Sequence, residues 1–228
     1  LQYQASVEAT LPGDLQATLT GFTHDNSYAL DFSLIGQDLS VTGANPCAEP
    51  PPPELYAPLH LRGRARGAEL LVRRRLGQSV FGWLSYAMSQ SDRTVAGVGT
   101  FPFDFDQTHV LNLVLSWEVG RNWTLGAVFH YNTGRPYTPV REIVCVDFIT
   151  ATSRDPHNSA RLPDYWRLDF RIQKREVFES WYLDFYIDFF NAAFQWETVN
   201  MRWNTDEQRF EAETFPLFLP IIGVRGQF

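Results

Sequence analysis

The chain has 228 residues, with 26 Asp and Glu against 19 Lys and Arg, for a formal net charge of −7. That acidic balance argues against a nucleic-acid surface, which carries a basic excess, and 44% hydrophobic with 20% charged residues excludes a disordered chain. Aromatic residues make up 15%, yet there is no run of about 18 apolar residues to form a transmembrane helix.

In chain order, the elements repeat one pattern. "LQYQASVEATL" sets Leu1, Tyr3, Ala5, Val7, Ala9 and Leu11 on one parity against Gln2, Gln4, Ser6, Glu8 and Thr10. "PGD" then turns the chain into a second strand running from about Leu15 to Phe32. "AELLVRRRL" leads through "GQ" into "SVFGWLSYAMSQ". "THVLNLVLSWEV" and "WTLGAVFHYN" flank the turn "GRN". "WRLDFRIQKR" sets Trp166, Leu168, Phe170 and Ile172 against Arg167, Asp169, Arg171 and Gln173. After residues 176–180, "WYLDFYIDFFNAAF" sets Trp181, Leu183, Phe185, Ile187 and Phe189 against Asp184 and Asp188, and the chain ends in "IIGVRGQF". Alternation with period two over nearly every segment predicts antiparallel β structure of about nine strands.

Two regularities bear on what the faces meet. Short turns near 12–14, 77–78, 120–122 and 176–180 alternate with long segments near 33–64, 92–106, 134–164 and 192–219. Most strands are longer than the usual globular strand and close to the ~9–11 residues of a tilted membrane strand. Short turns at one end and long loops at the other fit an outer-membrane barrel.

The aromatic residues fit the same picture. Trp117, Trp123 and Trp181 stand beside short turns on the apolar parity, with Tyr131 and Phe189 eight residues further along. At ~3.3 Å per residue and a tilt of about 40°, that separation is roughly 20 Å, the spacing of two aromatic girdles around an apolar band. Arg167, Asp169, Arg171, Asp184, Asp188 and His130 then face a wet lumen, because charges in hydrocarbon cost several kcal/mol (about 2–4 for Arg or Lys at the midplane). A soluble sandwich accounts for the alternation with its tryptophans inside a core; a barrel accounts as well for where the tryptophans sit.

Candidate chemistry is sparse. The five histidines show no HExxH or other metal spacing, and the chain lacks a G-x-S-x-G, a phosphate loop and a Cys-x-x-Cys. Asp104 and Asp106 read as members of a solvated loop, and an enzymatic rim built from His130 and these aspartates has nothing to place its parts together. No cofactor, metal or catalytic residue is expected. Cys47 and Cys145 lie in long polar, Pro-containing segments; the sequence leaves open a disulfide, two thiols or partners outside the chain. The run Arg73-Arg74-Arg75 reads as the solvated short-turn end of a strand. The chain begins in strand register without a Met or a basic start and is taken as a fragment of a longer protein.

Several motifs, in order, resemble the C-terminal half of the barrel of TonB-dependent outer-membrane receptors. "GAELLVRRRLGQSVFGWLSYAMSQSDR" is similar to a hairpin of that family, "FHYNTGRPYTP" to its "Y.TG.PYTP" strand-to-loop motif, and "RLPDYWRLDFRI" to its "R.P.Y.RLDLR" strand. "DFFNAAF" is similar to its "D..N..N" strand end and "FPLFLPIIGVRGQF" to its last strand. Phe194 departs from the second Asn, and Gly226 stands where a hydrophobic residue is usual.

The resemblance implies an all-β antiparallel transmembrane barrel of 22 strands with a plug inside, of which residues 1–228 are about the last nine strands. Strands 14 and 22 would both run towards the short-turn side, as the first and last strands here do. It implies bacterial outer-membrane lipid around the barrel and the TonB complex acting through an N-terminal region absent here. It also implies recognition by the barrel-assembly machinery through Gly223 and Phe228. The ligand would be a scarce one, such as a ferric siderophore or another large nutrient, met by loop aromatics Tyr56, Phe101, Phe103, Tyr137 and Trp196 or, equally, by other loop residues while these pack loop to loop.

Overall fold

The computed structural model describes residues 1–30, 60–74, 79–96, 99–144 and 150–228. Cys47, Cys145, Tyr56, Arg75 and the turn at 77–78 lie outside the described residues. The strands are β1 (Gln2–Leu11), β2 (Leu15–Leu30), β3 (His60–Arg74), β4 (Val80–Val95), β5 (Gly99–Pro102), β6 (His109–Gly120), β7 (Trp123–Asn132) and β8 (Pro136–Tyr137). They continue with β9 (Val140–Val144), β10 (Thr150–Arg154), β11 (Ala160–Arg161), β12 (Tyr165–Val177), β13 (Tyr182–Phe190), β14 (Trp196–Asn204), β15 (Arg209–Pro216) and β16 (Leu219–Gln227).

Nine of these form one antiparallel path, β1-β2-β3-β4-β6-β7-β12-β13-β16, with β5 folded onto β4. An odd count makes both edge strands run the same way. The tight turns use residues that tolerate left-handed backbone: Gly13 and Asp14 have φ of 79° and 60°, and Gly120, Arg121 and Asn122 have 89°, 50° and 62°.

The long segments are less bare than the sequence suggests. β3 starts at His60, within the stretch read as loop to residue 64, and β4 runs to Val95. "HLRGRARG" shows no apolar alternation because this half of β3 stands beyond the apolar band, held by register with β2 (Arg62 opposite Ser27, Arg66 opposite Thr23). Three small hairpins also occupy the long segments: β8 with β11, β9 with β10, and β14 with β15.

Register carries the two faces intact across the sheet. On one face, Leu113, Phe129, Leu168 and their neighbours align strand to strand, as do Ile172, Ile187 and Ile222. On β3 this face is apolar between Arg66 and Arg74, and on β12 between Trp166 and Lys174, eight residues in each case. Eight residues at ~3.3 Å and a tilt near 40° again make roughly 20 Å. Large apolar side chains on this face stand open: Val7 is 71% exposed and Ile222 79%. Among the described residues the buried apolar set is four, Leu61, Val95, Phe101 and Leu162, all towards the long-loop end. A water-soluble domain of this length would bury far more, so this sheet is a wall with its apolar side outward.

Candidate functional site

The inward face of β12, β13 and β16 carries a charged column. Arg171 lies opposite Asp188, and Asp184 lies between Arg175 and Arg225 in register. Arg175 holds Asp184 through Nε at 2.7 Å and Nη2 at 3.0 Å, and Arg225 adds a bond of 3.0 Å. The Asp184 carboxylate is 1% exposed while its arginines remain partly open to water. Arg171 reaches Asp188 at 3.3 Å, and Arg167 reaches Asp169 at 3.1 Å. Each β12 arginine also covers an aromatic ring of β13: Arg167 over Phe190, Arg171 over Tyr186 and Arg175 over Tyr182, at 4.0 to 4.2 Å. Tyr186 in turn lies over Gly223, where any Cβ would fall 2.2 Å from the ring. His130 sits on the same inward parity of β7 with its ring nitrogens against Asn112 at 2.6 Å and Asn132 at 2.9 Å.

Two of these charges were missed in the sequence. Arg175 follows from extending the β12 parity by two residues. Arg225 needed the register of β16, which the pattern of "IIGVRGQF" does not supply.

At the long-loop end, Asp104 and Asp106 are anchors, which corrects the solvated-loop expectation. Asp106 is buried; it accepts from the Ser91 amide at 2.6 Å and pairs with Arg161. Arg161 also donates to the carbonyls of Asp106 and Gly134. Asn158, buried as well, donates to Asp104 at 2.6 Å and to the Pro102 carbonyl at 2.9 Å. His157 stands 3.4 Å from Asp104 and 3.2 Å from the Thr138 hydroxyl. These bonds seat the 155–161 segment on β5 and the 103–108 loop.

Gly134 is the tightest point of that seat. A Cβ there would lie 1.6 Å from the Leu162 carbonyl oxygen. Gly134→Ala is expected to force β8 and β11 apart at a cost of about 1–3 kcal/mol. The check is faster hydrogen exchange at the Leu162 amide, which bonds to the Arg135 carbonyl.

The predicted loop aromatics differ in what they offer. Phe101 is buried edge-on against His157, with centroids 4.7 Å apart. Phe103 lies under Arg93 at 3.7 Å. Tyr137 is half-buried near Phe210, which with Trp203 surrounds Arg141 as that residue pairs with Asp155. Burial holds the Tyr137 phenol above its usual range. Trp196, 62% exposed, stands free on β14, and Phe105, 64% exposed and not foreseen, stands beside Phe103.

On the outward face, Trp117 and Trp123 flank the β6–β7 turn at 52% and 42% exposed, with Lys174 over the Trp123 ring. Trp181 precedes β13 and does not begin it; its ring stacks with Phe178 at 4.0 Å and with Phe228 at 5.6 Å. At the other end, the Tyr131 hydroxyl donates to Asp164 at 2.7 Å, and Phe189, Phe218 and Phe194 stack in series. Phe194 holds a φ of 54°, where Asn sits more easily; its ring meets Phe218 at 4.5 Å. Gly226, the other departure from the receptor pattern, packs against Leu183 and Phe228, so little room is left for a side chain.

Further out, Arg62 holds Asp25 bidentately, and this guanidinium keeps the Asp25 carboxyl below the usual aspartate value of 3.8. A depressed folded-state value means the pair stabilises fully above 3.8 and is lost as pH falls through the lowered value. Acid below 3.8 is therefore expected to loosen the far ends of β2 and β3. Corrected for the intrinsic pH dependence of exchange, amide protection there should fall in acid for the native chain and stay flat with pH in Asp25→Asn.

Among the described residues no group of three His, Cys, Asp or Glu side chains could hold a metal, and the partners of His130 differ from those of Asp104 and Asp106.

Comparison with known proteins locates this architecture. No family model matches the chain, and no curated protein does. Among solved structures, the ferric citrate transporter FecA in its unliganded form superposes over 99% of this chain and 31% of its own, with a TM-score of 0.63 at 15% identity. The pyoverdine outer-membrane receptor FpvA from Pseudomonas aeruginosa PAO1, bound to pyoverdine, superposes over 100% of this chain and 29% of its own, with a TM-score of 0.59 at 13% identity. The FpvAI–pyocin S2 complex matches over 99% and 27%, with a TM-score of 0.56 at 12% identity. The chain thus has the fold of an antiparallel transmembrane β-barrel wall and spans about three tenths of the length of these structures.

Proposed function

We propose that the chain forms the last nine strands of a 22-stranded TonB-dependent receptor barrel in a bacterial outer membrane, a receptor that takes up a scarce ligand such as a ferric siderophore. The observation that carries this reading is the nine-strand path that superposes almost whole on a ferric citrate transporter and a pyoverdine receptor. Its two opposite faces support the same placement: an apolar band of roughly 20 Å outside and the arginine–carboxylate column inside. In this account Trp117, Trp123 and Trp181 sit at the periplasmic interface, and Tyr131 and Phe189 at the outer one. Gly223 and Phe228 present the closing strand to the assembly machinery. Trp196 and Tyr137, with the Phe101–Phe105 loop, border the outer vestibule where ligand arrives. Energy comes from the inner membrane through TonB and an N-terminal region outside this chain.

The test is uptake by cells that depend on the full-length parent protein under iron limitation. Uptake should vanish when the inner-membrane complex is de-energised. Uptake that persists without it would favour a second reading, a passive porin-like or purely structural outer-membrane barrel.

A further inference from the structure

The outward face of β3 carries three arginines in alternation, Arg62, Arg64 and Arg66, directly beyond the last apolar residue of that face, Ala68. Their neighbours in register are polar: Thr23 and Gln90 beside Arg66, Asp25 and Asp92 beside Arg64. Two residues of strand advance about 5 Å along the membrane normal at a tilt near 40°. Arg66 therefore stands about 5 Å, and Arg64 about 10 Å, outside the apolar band. The polar zone of each leaflet is about 5–8 Å thick, so Arg66 lies within the headgroup layer and Arg64 just past its edge, within the reach of an arginine side chain. Arg62 lies beyond it.

The hydrogen bonding separates the three. Arg62 occupies Asp25 through both carboxylate oxygens. Arg64 stands 3.8 Å from that already engaged carboxylate and is 53% exposed. Arg66 donates one bond, 3.0 Å long, to the neutral Gln90 amide oxygen. Asp92 accepts from the Gln90 amide at 3.4 Å. Arg64 and Arg66 are thus exposed and keep guanidinium donors outside these bonds. Each presents a planar fork that matches a phosphate oxygen pair.

We infer that Arg64 and Arg66 form an outward-facing site for the phosphate of an anionic lipid headgroup in the outer leaflet, with Arg62 neutralising Asp25 beside them. The site rests on the membrane placement proposed above. Occupancy would tie one lipid to the β2–β3–β4 face where the strands leave the bilayer.

The experiment uses the full-length parent protein in phosphatidylcholine nanodiscs doped with phosphatidic acid, with native mass spectrometry counting lipid retained by the barrel. The wild type should retain phosphatidic acid over phosphatidylcholine. Arg64→Gln with Arg66→Gln should weaken that retention on the order of tenfold, while Arg64→Lys with Arg66→Lys keeps part of it. Arg209→Gln, on the β14–β15 hairpin, should leave it unchanged. Heat-modifiability on a gel confirms that each variant is folded. A folded double Gln variant that holds phosphatidic acid as tightly as the wild type overturns the site, and so does a wild-type barrel with no preference between the two lipids. A wild type that never forms a heat-modifiable membrane barrel overturns the functional proposal itself, and the site falls with it.

Discussion

Replacing Asp184 with alanine is expected to cost the folded barrel about 3 kcal/mol, the lower end of the range for breaking a buried ion pair. The carboxylate is almost wholly enclosed and bridges three strands: Arg175 from β12, its own β13, and Arg225 from β16. Its loss strands two guanidiniums, and their partial exposure keeps the penalty below the extreme. Asp188→Ala gives the internal comparison. Asp188 is more open and meets Arg171 at 3.3 Å, so its removal should cost well under 1 kcal/mol. Urea unfolding of the detergent-purified parent protein, followed by heat-modifiability, reads both. Equal effects at the two positions would mean that Asp184 does not clamp β16.

The second large effect belongs to the outward face. Ile187 aligns with Ile172 and Ile222 within the apolar band. Ile187→Arg should destabilise the barrel in a bilayer by about 2 kcal/mol, because hydrocarbon gives the guanidinium no partner. Ser116→Arg, on the inward parity of β6 opposite Gly126 and Phe81, should be nearly neutral. The difference is measured by folding each variant into lipid vesicles across a urea series. Equal stability of the two variants in vesicles would mean that the outward face meets water and not hydrocarbon.

Period two was the most legible feature of the sequence. Hydrophobic alternation placed the nine strands of the main path, and the turn residues placed the tight connections at 12–14 and 120–122, because both signals are local. The far halves of β3 and β4 were not legible. Arg62, Arg64, Arg66, Gln90 and Asp92 keep the strand period but lie outside the apolar band, so no hydropathy contrast marks them. The small hairpins of the long segments escaped for a related reason: they are held by long-range bonds such as Arg161 to Asp106 and Asn158 to Pro102. Asp104 and Asp106 looked like surface charges because their partners lie more than fifty residues away. The inward charges of β12 and β13 were readable from parity, whereas the role of Arg225 depended on register with Asp184.

The most direct measurement is cysteine accessibility along β13 in the full-length protein in outer-membrane vesicles, in a background where Cys47 and Cys145 are serine. Positions 184 to 189 are replaced one at a time and challenged with a water-soluble thiol reagent and with a membrane-confined one. The account predicts alternation at the open positions: 186 and 188 react from water, 185, 187 and 189 from lipid, and the enclosed position 184 reacts from neither. Aqueous labelling of both sets, with no period of two, would contradict a lipid-facing wall.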